Sequence, residues 1–255
     1  QEKLVGNEHS QLFNSYFHIF PWSSLPQDCR GFDMGCGSGR WAVLVAPKVT
    51  QLTCIDPSPD VLKVAKLRLS DFPNTIFLCK GVSEKPLPPN SQDFGYSLGV
   101  LHHIPDTANA LQDCVQMLKP GAPFLLYLYY KFDNRPRWYA LIWHASDVLR
   151  RVISILPSRL KTIFTDLIAG LVYFPLARLA LFGEKIGIRV DNWLLSSYRK
   201  TSFYTMRTDS RDRFGTPLEK RFTRHEILKM MQKAGLNNIK FSEDSPFWCA
   251  VGYKN

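Results

Sequence analysis

The sequence predicts an α/β fold, a doubly wound and largely parallel sheet interrupted late in the chain by a helical insertion. Strand and helix patterns alternate over residues 31–130, and a glycine-rich loop separates the first strand from the first helix. The alternation then resumes at Thr223 after a long stretch of different character. Such alternation buries parallel strands between two layers of helix.

Residues 31–34 form a short first strand ending in glycines 35, 37 and 39. Residues 51–55 are an apolar second strand leading to Asp56-Pro57, after which Ser58 is an N-cap and Pro59 the first helical residue. Val61, Leu62, Ala65 and Leu69 make that helix's apolar stripe. Residues 75–79 and 94–98 are the next strands. Asp106 caps a helix striped by Ala108, Leu111, Val115 and Leu118, Lys119-Pro120-Gly121 stops it, and 123–130 is a fifth strand. Beyond the insertion, Thr223 and Glu226 sit at N-cap and N3 of a capping box, and Gly235 ends that helix. Residues 238–242 and 248–253 read as a closing antiparallel hairpin. The core is therefore expected over 1–130 and 224–255, with 131–223 as an inserted helical cap.

The insertion differs in chemistry as well as pattern. Residues 131–224 hold 18 Lys+Arg against 8 Asp+Glu, and the rest of the chain is balanced at 14 against 14. The whole net charge of +10 thus sits in one segment, pointing to an anionic small-molecule, lipid or nucleic-acid partner, or to a solvated basic face. Residues 158–182 are its most hydrophobic stretch. Asp166 and Arg178 bound an uncharged run too short to span a bilayer, so a lid or a membrane-surface helix is expected there. Six scattered cysteines without a C-x-x-C pair argue for a reducing compartment and against a disulfide scaffold or structural zinc. The polar first eleven residues carry no signal-peptide core, and a cytoplasmic location is expected.

The strongest chemical signal is the run Asp33 to Arg40. Glycines 35, 37 and 39 let backbone approach a ligand closely, at the start of a helix. Arg40 stands where a dinucleotide fingerprint needs glycine, and Asp33 would repel phosphate but orient a cationic amino-acid moiety. Asp56, at the end of the second strand, can accept hydrogen bonds from ribose hydroxyls. His102 and His103 follow the fourth strand, where one is a candidate general base and the other a packing residue. In the insertion Tyr204 is a further catalytic candidate, with His144 and Asp212 behind it. Arg199, Tyr204, Arg207 and Arg213 are candidates for holding an anionic acceptor. The aromatic stretch Phe13 to Trp22 reads either as a cover over the ligand or as a core-packing helix.

The run Asp33 to Arg40, Asp56, the segment Ser97 to Asp106 and Leu118-Lys119-Pro120-Gly121 together resemble class I S-adenosylmethionine-dependent methyltransferases, in the branch of ubiquinone and menaquinone biosynthesis enzymes. The resemblance implies a Rossmann-like seven-stranded sheet with S-adenosylmethionine bound over its strand ends and S-adenosylhomocysteine as product. It places Asp33, Gly35, Cys36, Gly37 and Gly39 at the methionine part and Asp56 and Pro57 at the ribose. Val82 and Ser83 would lie by the adenine, and Gly99 to Leu101 beside the sulfonium. Family members often carry an acidic residue where Val82 stands, so backbone groups and Ser83 would have to replace that contact. The expected activity is methyl transfer to O, N or C of a small or lipid-like, anionic acceptor, with no metal. The basic segment keeps an RNA methyltransferase as a rival, although no RNA-binding module is visible. A non-catalytic cofactor-binding or membrane-surface protein is the other alternative.

Overall fold

The computed structural model describes residues 2–255, with side chains from residue 8 onward. The polar start read against a signal peptide therefore lies, up to Asn7, outside the described side chains. The chain divides into two compact units. One comprises residues 10–130 and 220–255; the other comprises 131–219 with the start of the chain up to His9.

The larger unit is built on a seven-stranded sheet of order β3-β2-β1-β4-β5-β7-β6. Its strands are β1 (Arg30–Met34), β2 (Gln51–Ile55), β3 (Thr75–Leu78), β4 (Phe94–Leu98), β5 (Pro123–Tyr127), β6 (Leu236–Phe241) and β7 (Ala250–Lys254). The first five are parallel, and β7 pairs antiparallel with both β5 and β6. This is the Rossmann-like, doubly wound sheet expected from the sequence. The order reverses between β1 and β4, the switch point where such sheets bind ligands. Every β4 residue is buried, as a strand covered on both faces requires.

The helices follow their local signals. In α1 (Glu2–Phe17) and the turn after it, Phe13, Phe17 and Phe20 are buried with Tyr96 and Leu98, so the aromatic stretch is a core-packing helix. A short α2 (Ala42–Val45) follows the glycine loop. α3 (Pro59–Arg68) starts where Ser58 Oγ accepts from Val61 N–H, and α4 (Thr107–Met117) where Asp106 accepts from Asn109 N–H. Strand ends differ from the sequence reading. β5 stops at Tyr127, and Tyr130 instead forms a lone bridge to Phe222. β7 starts at Ala250; Cys249 N–H donates to Pro246 O in a turn, while its carbonyl accepts from Ser242 N–H.

The second unit is helical: α5 (Arg137–Ser154), α6 (Ser158–Ile168), α7 (Phe174–Lys185) and α8 (Phe203–Gly215). A π-helical turn, Ala169–Tyr173, joins α6 to α7 in one continuous helix of 28 residues. Its most apolar window has mean hydropathy 1.5, which by length and composition suffices to cross a membrane. The uncharged run that the sequence shows between Asp166 and Arg178 is only part of this helix. Asp166 and Arg178 do not break the helix, because Asp166 is paired to Arg207 and Arg211 of α8 and Arg178 donates to Arg199 O and Thr201 O. A small core of Ile153, Tyr173, Ala177, Met206 and Phe214 holds the helices together. The last residue of this unit is Glu219; within the larger unit Lys220 N–H donates to His102 O and Phe222 N–H to Tyr129 O. There α9 (Arg224–Lys233) begins in a closed capping box. Thr223 Oγ1 accepts from Glu226 N–H at 3.1 Å, and Glu226 Oε2 accepts from Thr223 N–H at 2.7 Å.

Candidate active site

The loop after β1 is set by backbone sterics. Gly35, Gly37 and Gly39 have φ of +78°, +54° and +76°, which side chains bearing Cβ resist. A Cβ on Gly35 would lie 2.4 Å from Val100 Cγ1, so this glycine lets the loops after β1 and β4 touch. Nothing stands within 4 Å of a Cβ built on Gly37 or Gly99, so both glycines face open space.

Asp56 ties this loop to the next. Gly37 N–H donates to its Oδ2 at 3.0 Å and Ser58 N–H to its Oδ1 at 2.9 Å. The carboxylate is half-buried, and each oxygen keeps a lone pair for a ligand hydroxyl. Pro57 is exposed beside it, and Cys36 is buried in the loop with its Sγ 3.6 Å from Gly37 O.

Asp33 is wholly buried, and its Oδ2 has no hydrogen-bond partner. Burial pushes its carboxyl up to about 8; the Tyr96 hydroxyl pulls it down, and the charge of Asp56 adds to the rise. Orphaned buried acceptors are costly and call for a donor from outside the chain. A carboxyl in need of a cationic donor, next to glycine backbone facing open space, fits the amino-acid end of S-adenosylmethionine. Asp56 fits its ribose, so the residues present match the cofactor.

Val82 is buried in the core beside Met34, Ile55 and Leu101, while Ser83 is exposed in the turn Val82–Glu84. Gly99 has φ +76° and Leu101 is fully buried. His102 is fully buried too, and its ring stacks on Tyr129 at 3.9 Å and lies 4.1 Å from that of His103. Burial lowers its pKa to about 2, helped by His103 and Arg221, so the imidazole stays neutral. A base this weak cannot hold a substrate proton near neutral pH. That shifts the general-base candidacy to His103, whose ring meets Tyr129 edge-on.

In the second unit the sequence-picked cations have protein partners. Arg199 pairs with Glu184 at 3.0 Å, Arg207 with Asp166 at 3.1 Å, and Arg213 donates to Ser146 Oγ at 2.7 Å. Tyr204 is exposed, as is His144, while Asp212 is half-buried. Sequence reading missed Tyr96, Tyr129 and Arg221. Tyr96 sits in a fully buried strand that reads only as core, and the other two meet the histidines through tertiary packing.

Residues 32–126 match the sequence family described as "Methyltransferase domain". The chain is similar to the ubiquinone biosynthesis O-methyltransferase of Xanthomonas campestris pv. campestris, with 28% identity over 126 residues, covering 49% of this chain and 52% of that protein. The enzyme of that name from Paracidovorax citrulli is 35% identical over 98 residues, covering 37% and 41%. The chain thus spans about half the length of the curated relatives it matches. Among solved structures, a Haemonchus contortus phosphoethanolamine N-methyltransferase bound to S-adenosylhomocysteine shares the fold at TM-score 0.51 and 17% identity, over 94% of this chain and 39% of that one. The CurJ carbon methyltransferase does so at TM-score 0.54 and 15% identity, over 96% and 55%. The glycine loop, Asp33, Asp56 and the sheet's switch point all fall within residues 32–126, the segment that matches the methyltransferase-domain family.

Proposed function

We propose that the chain is a methyltransferase that moves a methyl group from S-adenosylmethionine to a small or lipid-like acceptor. The observation that carries this is the buried Asp33 carboxyl, its Oδ2 without a partner, beside a loop of positive-φ glycines anchored to Asp56. The cofactor supplies an electrophilic methyl on a sulfonium, which becomes a neutral thioether on transfer. The protein's tasks are to hold donor and acceptor in line and to remove the acceptor's proton. In this reading Asp33 and the glycine backbone hold the amino-acid end and Asp56 the ribose. Val82 and Ser83 flank the adenine, Gly99 and Leu101 flank the sulfonium, and His103 takes the proton. Titration calorimetry with S-adenosylhomocysteine tests the first half. Losing a charged acceptor for ribose costs about 1.5–3 kcal/mol, so Asp56→Ala should bind at least ten-fold more weakly. Unchanged affinity would remove Asp56 from the site. Transfer of tritiated methyl into separated lipid, small-molecule and RNA pools of a cell extract tests the second half.

The basic surplus of 131–224 favours one second reading, an RNA acceptor. RNA affinity would then fall steeply with salt as phosphates are neutralised. We expect only weak binding that is gone at physiological ionic strength. Tight RNA binding with label in the RNA pool would promote that reading.

A further inference from the structure

We propose that the helical unit is a docking platform for an anionic lipid bilayer, with α5 and the continuous helix α6–α7 lying on the membrane surface. Among the described residues, the exposed large apolar side chains concentrate in 131–219, and only Val64, Leu67 and Ile76 lie outside that stretch. Their spacing is helical. On α5, Leu141, Val148, Leu149, Val152 and Ile155 form one stripe; Leu141 is 70% and Ile155 80% exposed. On α6–α7, Ile163, Leu167, Leu171, Leu179 and Phe182 form a second, Leu171 being 74% exposed. Apolar area on this scale is rare on a monomer without a contact partner.

The opposite faces of these helices are occupied. Thr165, Ala169, Tyr173, Ala177 and Ala180, three or four residues apart, are buried. Ser210 Oγ of α8 donates to Thr165 O, Arg211 pairs with Asp166, and Arg213 reaches Ser146 on α5. Both α5 and α6 are therefore fastened to α8, and their apolar stripes turn away from it. A helix held along one face, with its mid-helix Asp166 in an ion-pair cluster, has only its other face for lipid. It lies along an interface instead of crossing the bilayer.

Charge decides what covers the stripes. Exposed Arg137 and Arg159 stand at the starts of α5 and α6, and exposed Lys185 and Arg189 stand at and just beyond the end of α7. A second copy would set these cations against their own kind, whereas anionic headgroups complement them. Trp138 in the first turn of α5 and Trp193 beyond α7 are partly exposed, as interfacial anchors are.

Flotation with vesicles tests this without cofactor or acceptor, so its outcome is separate from that of the methyltransferase reading. The protein should bind vesicles of phosphatidylcholine containing phosphatidylglycerol, bind pure phosphatidylcholine at least ten-fold more weakly, and be released by alkaline carbonate. The double variant Leu141→Glu with Leu171→Glu, altering only exposed side chains, should lose binding ten-fold or more while keeping its circular dichroism and thermal midpoint. Arg159→Glu with Arg189→Glu should abolish the preference for the anionic vesicles. Retention through carbonate would mean a spanning helix and overturn the surface placement. Failure to bind either vesicle would overturn the proposal. So would a concentration-dependent dimer, seen by sedimentation, that the leucine variants dissociate.

Discussion

Two titratable side chains at the site sit far from their ordinary ranges, in opposite senses. Asp33, raised to about 8, holds a proton in the folded protein that the unfolded chain releases near 3.8. Folding thus binds a proton between those values, and its contribution to stability is lost as pH rises from about 4 to 8. A bound ammonium reverses the preference, so cofactor binding at pH 7 should release a proton and tighten as pH rises through about 8. Calorimetry in buffers of different ionisation heat reads this directly; Asp33→Asn should abolish the release and weaken binding. His102 runs the other way. Its pKa falls from 6.5 to about 2, so the unfolded chain binds the extra proton and stability declines as pH drops below about 6.5. His102→Phe should flatten that acid limb in thermal melts, if Tyr129 accepts the larger ring. Asp33 and Asp56 were legible in sequence as charged residues at strand ends. The neutrality of His102 was not, because burial and the Tyr129 stack come from chain far from it.

At the scale of elements, the glycine loop and the helix caps were readable because their determinants are local. Gly37 at φ +54° imposes a left-handed conformation that costs other residues roughly 1–2 kcal/mol. Gly37→Val should therefore destabilise modestly, but it should weaken cofactor binding far more, because its side chain enters the open space. Calorimetry set against the thermal midpoint separates the two effects. The insertion's helices depend on pairs no local pattern shows. Arg150 is buried, pairs with Asp147 at 2.7 Å and donates to Thr216 O and Pro217 O. Although burial pushes the Asp147 carboxyl up, Arg150 and Arg151 hold it below its usual value. Removing one partner of a buried pair leaves a costly charge, so Asp147→Asn should cost about 3 kcal/mol. A denaturant titration monitoring the helical unit reads that loss.

For the molecule as a whole, two units of different character share one chain. The larger is a sheet domain with a net charge of +4, and the smaller, with +6 on fewer residues, carries the exposed apolar stripes. In the sequence, charge and periodicity both change at Lys131. Just after the helical unit, the backbone of Lys220 and Phe222 is held by the carbonyls of His102 and Tyr129.

The sequence by itself determined the strand–helix alternation, the glycine loop, Asp56 at a strand end and the concentration of charge. Each is written in residues close together in the chain, where sterics and hydrogen bonding act without the rest of the fold. Only the tertiary structure decided that Asp33 is buried with its Oδ2 unpartnered and its carboxyl raised by burial, that His102 is a buried ring with a lowered pKa, and that the insertion's arginines are engaged by Glu184, Asp166 and Ser146. It likewise decided which faces of α5 and α6–α7 are left uncovered. These properties depend on desolvation and on partners distant in sequence, and burial is fixed only once the whole chain has packed.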